Sequence, residues 1–86
     1  MRIKNVFAIE IIDQKYFMVC LDSAVLSGMI EMNETAAFIV NCMSEETTIE
    51  EIAKKLCATF DVSLDDAICD VEQITAQLKD INAIED

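Results

Sequence analysis

Two runs of β-branched and aromatic residues open the chain, VFAIEII at 6–12 and YFMVCL at 16–21, separated by the short polar DQK. Together they read as a hairpin. In the first run Phe7, Ile9 and Ile11 alternate with Ala8, Glu10 and Ile12, so one face should be buried more fully than the other. The second run is apolar on both faces, as a central strand would be. DSAVLS at 22–27 reads as a loop with an apolar plug at Val25 and Leu26, and Gly28 then opens a third short strand, MIEM. The three strands predict a small antiparallel sheet.

The pattern changes period at Asn33. Its side-chain oxygen can accept from an orphan backbone N–H at residue 35 or 36, and Glu34 suits the positive end of a helix dipole. Residues 34–43 are apolar on most sides, as expected for a helix clamped between other elements. Thr48 and Glu51 have capping-box spacing, which predicts reciprocal bonds to two orphan donors. Behind them Ile49, Ile52, Ala53, Leu56, Cys57 and Phe60 follow helical spacing, with Glu50–Lys54 and Glu51–Lys55 in the favourable i,i+4 order. A helix over 48–60 follows.

The last helix starts at Ser63, with Asp65 and Asp66 in its first turn. Its apolar line is Leu64, Ala67, Ile68, Val71, Ile74, Leu78 and Ile81. Asn82 can end it in the left-handed conformation usually given to Gly, after which Ala83 and Ile84 tuck back onto the core. The fold class is therefore α+β: a three-stranded antiparallel sheet followed by three helices, β-β-β-α-α-α, in the outline of a winged helix-turn-helix. Eighty-six residues without repeat or linker make residues 1–86 a single domain.

Net charge narrows the function classes. Seventeen acidic side chains against 6 basic ones give −11, a field that opposes phosphate contacts and favours basic partners. Residues 63–82 carry only Lys79 against Asp65, Asp66, Asp70, Glu72 and Asp80, so the last helix is a poor reader of a DNA groove. Cys20, Cys42, Cys57 and Cys69 form no C-x-x-C pair and there is no His, so no metal site is expected and the thiols read as small hydrophobes in strand and helix. The N-terminal stretch is broken by Glu10 and Asp13 and lacks a cleavage motif, and no apolar run approaches the ~20 residues of a membrane span. A cytoplasmic setting is expected. With no His, no nucleophile setting, no phosphate loop and carboxylates on solvated helix faces, no catalytic residue and no cofactor is expected either.

The string GMIEMNETAAFIV (28–40), followed by TTIEEIAKKLCATFDVSLDDAICDVEQITAQLKDINAI, resembles the PqqD family, the stand-alone recognition element of pathways that modify ribosomally made peptides. The resemblance runs from about residue 6 to residue 84. It is carried by the Gly28-Met29-Ile30 run leading to Asn33, Glu34, Thr35 and Ala37, by the T-I-E-E-I helix start, by F-D-V at 60–62 and by Asp70-Val71. This chain departs from the family in having Met32 for Leu, no Trp near Val40, and Asn82 in place of a terminal Gly.

The resemblance implies a non-catalytic peptide chaperone. In such proteins the leader of a precursor peptide adds as a strand to the edge of the third strand and lies against the third helix. The expected partners are that leader and a maturation enzyme, such as a radical-SAM protein or a leader peptidase. A strand at 29–32 with free backbone donors and acceptors suits this mode on physical grounds as well. The expected backbone edge is Gly28, Met29, Ile30, Glu31 and Met32, and the expected groove wall is Ile68, Val71, Ile74, Thr75 and Leu78. Met29, Met32 and Met18 offer adaptable apolar surface, while Asp70 and Glu31 would favour Lys or Arg in the leader. A homodimer would use the same exposed strand. Two rivals stand beside this reading: an adaptor subunit that binds only a partner enzyme, and a winged-helix DNA-binding regulator.

Overall fold

The computed structural model describes residues 1–22 and 28–85. Its elements are β1 (Arg2–Ile3), β2 (Phe7–Ile12), β3 (Lys15–Cys20), β4 (Met29–Met32), α1 (Glu34–Cys42), α2 (Ile49–Thr59), α3 (Leu64–Asp80) and β5 (Ile84–Glu85). The order of sheet then helices agrees with the expected α+β class. The main sheet is antiparallel in the order β2-β3-β4, so β3 is central and β4 lies at an edge.

The hairpin turn is tighter than DQK implied. Lys15 already pairs with Ile12, and Asp13 and Gln14 make the reversal at φ 51° and 66°. Two successive left-handed residues match the twist of the flanking strands. Burial fades along β2 from Phe7 at 7% exposure to Ile11 at 66% and Ile12 at 45%, so the expected buried face covers only the base of the hairpin. The far end stands clear of the helical layer. The expected plug at Val25 and Leu26 lies outside the described residues.

All three helices are capped where the sequence placed their starts. Asn33 Oδ1 accepts from Ala36 N at 2.8 Å, Thr48 Oγ1 from Glu51 N at 3.2 Å, and Ser63 Oγ from Asp66 N at 3.2 Å. The capping box is only half closed, because the Glu51 carboxylate accepts from the Thr47 hydroxyl at 3.4 Å. Among the described residues the ion pairs are Met1 ammonium–Glu46 and Arg2–Glu85, so neither Glu50–Lys54 nor Glu51–Lys55 closes. Solvated i,i+4 pairs gain too little to fix two long side chains.

At the end of α3, Asn82 has φ 59° and donates to Lys79 O at 3.0 Å, while Ala83 N donates to Leu78 O at 2.8 Å. These are the two bonds of a Schellman cap. The cap turns Ala83 and Ile84 into the core and sets β5 against β1, with Ile3 opposite Ile84. Strands of two residues are too short to carry a period, which is why this second sheet escaped the sequence pattern.

The core joins Phe7 and Met18 of the sheet to Ile39 and Met43 of the first helical segment, Ile52 and Leu56 of α2, and Val71 of α3. Phe38 and Phe60 meet edge to face at 5.4 Å and 86° on its margin. Leu64 is 47% exposed and so drops out of the expected α3 stripe. The cysteines are free. Cys20, Cys42 and Cys57 are half-buried as small hydrophobes, but Cys69 faces solvent, contrary to expectation. Among the described residues no helix is long and apolar enough to cross a membrane.

Candidate functional site

The outer edge of β4 is unpaired among the described residues. In an antiparallel ladder alternate residues aim N–H and C=O away from the neighbouring strand, so this edge presents a row of free donors and acceptors. Gly28, at φ 95°, lets the chain enter the strand through a conformation that L side chains disfavour. Asn33 then caps α1 and ends the strand abruptly. The edge is short and bounded at both ends.

Strand alternation splits β4 in two. Ile30 and Met32, opposite Met18 and Tyr16, are half-buried and turn toward the helices, while Met29 and Glu31, opposite Val19 and Phe17, are exposed. On the helix side, α3 faces β4 across an open groove of about 440 Å³ instead of packing against it. Its apolar surface comes from Met18, Ile30 and Met32 on the sheet and from Ile74, Leu78 and Ile81 beyond. Asn33, Gln73 and Gln77 supply its polar side chains, and Glu31 borders it from β4. A smaller cavity of about 180 Å³ continues past the end of β4, bounded by Thr35, Ile39 and Asp70 and sharing Asn33, Ala36, Gln73 and Ile74 with the first.

Of the residues expected at the site, the structure brings Ile30, Glu31, Met32, Ile74 and Leu78 to the main groove and Asp70 to the smaller cavity. Gly28 and Met29 lie at the start of the edge, outside both linings. Val71 and Thr75 are buried and line neither cavity, and Ile68 packs against the core without lining either. At about 100° per residue, a seventeen-residue helix presents one stripe to α2 and another to β4, and hydrophobicity alone does not separate them. Gln73 and Gln77 were missed because they carry no hydrophobic signal at all. Their i,i+4 spacing, in register with Ile74 and Leu78, was the available signal.

Among the described residues neither cavity is lined by His, Lys, Arg, Cys or Ser. Asp70, the carboxylate of the smaller cavity, faces no cation of that described lining. A free strand edge beside an apolar groove can hold an extended, partly apolar chain through backbone bonds and side-chain contact. A shallower hollow of about 530 Å³ at Met1 and residues 47–50 offers no strand edge.

The model of the family described as Coenzyme PQQ synthesis protein D (PqqD) matches residues 16–84, most of the chain and every element that forms the groove. Among solved structures the fold is similar to that of TbiB1 in complex with the TbiA(beta) leader peptide, with TM-score 0.77 and 19% identity over 99% of this chain and 95% of that one. It is also similar to lasso peptide synthetase B1 complexed with the leader peptide, with TM-score 0.73 and 21% identity over 95% of this chain and 93% of that one. A comparison with curated proteins returns no match.

Proposed function

Because this chain belongs to the PqqD family, we propose that it is a non-catalytic peptide chaperone that binds the leader segment of a ribosomal precursor peptide and presents it to a modifying enzyme. The observation that carries the proposal is the unpaired edge of β4 bordering an apolar groove. The leader adds to β4 as a fourth strand, backbone bonds supply affinity, and alternate side chains drop into the groove against Ile74, Leu78 and Ile81. Both similar structures hold leader peptides, which supports the same occupant here.

The partner enzyme, such as a radical-SAM protein or a leader peptidase, meets the opposite face of the sheet. There Phe17 stands between Glu10 and Glu31 on neighbouring strands, and this face stays open while the groove is filled. The protein works in the cytoplasm, and two copies pairing through β4 would compete with the leader for one edge.

Calorimetric titration with synthetic leader peptides from a neighbouring precursor gene tests the proposal. Micromolar or tighter binding, lost when Pro replaces a residue of the docking segment, is the expected result. Pro removes a ladder donor and cannot sit inside a paired strand. Absence of binding to every leader, with binding to the enzyme retained, would make the protein an adaptor.

A further inference from the structure

The main groove and the smaller cavity share four lining residues, and their α3 contributions are offset along the helix. Gln73 to Ile81 line the first and Asp70 to Ile74 the second. That offset is about one helical turn, roughly 5.4 Å. Residues i and i+2 of a strand point to the same side and lie roughly 6.6 Å apart. A strand laid on β4 thus places two alternate side chains in the two cavities.

The cavities differ in chemistry. The main groove is walled by Met and Ile side chains and Leu78, whereas the smaller one, less than half its volume, carries the half-buried Asp70 with Thr35 and Gln73 and no basic group. The first accepts a bulky apolar side chain. The second is complementary to the head of Lys or Arg, whose apolar stem would pass Ile74 and Ile39.

Chain direction follows from the sheet. β4 runs from Met29 toward Asn33, so the smaller cavity lies beyond its C-terminal end. Every strand pair among the described residues is antiparallel, and antiparallel pairing is the more stable per residue. An added strand then passes the smaller cavity first.

We infer that the bound leader carries the pattern cation-x-bulky apolar, with Lys or Arg at Asp70 two residues before an apolar anchor in the groove between β4 and α3. This specificity rests on the strand-addition reading above. It adds to that reading a residue pattern, a spacing and a direction.

Selection of a displayed library of random twelve-residue peptides on the purified protein, followed by anisotropy titration of the enriched peptides, tests it. The expected consensus is Lys or Arg, any residue, then Leu, Ile, Met, Phe or Tyr. Replacing that cation by Gln should weaken binding to the wild type by roughly two- to fivefold, the range of a partly exposed ion pair, and leave binding to Asp70→Asn unchanged. Selection on Asp70→Lys should enrich Glu or Asp at the same position, a switch that a merely structural Asp70 would not produce. Enriched peptides without charge preference there, or with the cation after the anchor, would overturn this inference and leave strand addition standing. A library that yields no binder would remove strand addition itself.

Discussion

Met18 and Ile30 stand opposite each other across β3 and β4, Met18 fully buried in the core and Ile30 half-exposed on the groove wall. One cross-strand pair thereby links the packing that holds the domain together to the surface offered to the ligand. Truncating Ile30 should register in both. Ile30→Ala is expected to cost about 1–2 kcal/mol of stability, below the ~2–5 kcal/mol of a fully buried site. It should also weaken leader binding about tenfold, equivalent to ~1.4 kcal/mol of lost contact. Urea denaturation and calorimetry measure the two separately. Lost stability with unchanged affinity would mean that the ligand does not touch this wall.

Gly28 determines how the chain enters the edge strand. A Cβ placed on it would meet nothing within 4 Å, so space is no obstacle to a larger residue. The obstacle is the φ of 95°, which an L side chain disfavours. Gly28→Ala should therefore destabilise by about 1–2 kcal/mol through the backbone alone. For a domain of this size each kcal/mol lowers Tm by roughly 4–8 °C. Differential scanning calorimetry checks the shift, and an unchanged Tm would show that the strand entrance is not held in this conformation.

The helix starts and the central strand were legible because caps and apolar periods are local signals. Asn33, Thr48 and Ser63 each accept the bond their spacing called for. The left-handed Asn82 was legible too, standing at the end of a stripe where a Gly is usual. What the pattern could not separate was which apolar residues of α3 serve the core and which the groove. Val71 and Ile74 are equally apolar, and only the position of α2 decides that the first is sealed while the second faces β4. Gln73 and Gln77 were hidden by the opposite bias, since a search for apolar wall passes over amides.

The four thiols differ enough in setting to be told apart by alkylation. Cys69 is exposed, whereas burial pushes the Cys42 thiol above its ordinary range, with the Lys55 ammonium partly opposing. Only the thiolate reacts, so at pH 8 iodoacetamide should label Cys69 first and Cys42 more slowly, as mass spectrometry would show. The folded chain holds the Cys42 proton more tightly than the unfolded chain does. Its contribution to stability is therefore complete below the unfolded value of ~8.5 and lost as pH rises through the higher folded value. Cys42→Ala should flatten stability across that alkaline window, and an unchanged slope would place the titration elsewhere.

Thr75 is buried and lines neither cavity. Its side chain is 4% exposed, and its Oγ1 has no hydrogen-bond partner among the described residues. A buried hydroxyl without a partner carries its desolvation cost uncompensated, about 1–3 kcal/mol. Val has nearly the same shape and similar helix propensity, so Thr75→Val should stabilise the domain by about 1 kcal/mol, read as a higher urea midpoint at constant m. Because the side chain lines neither cavity, leader affinity should not change. A destabilised variant would mean that the hydroxyl finds a partner, such as the carbonyl one turn earlier in the helix. A changed affinity with stability intact would return Thr75 to the groove wall and require α3 to rotate when the leader binds.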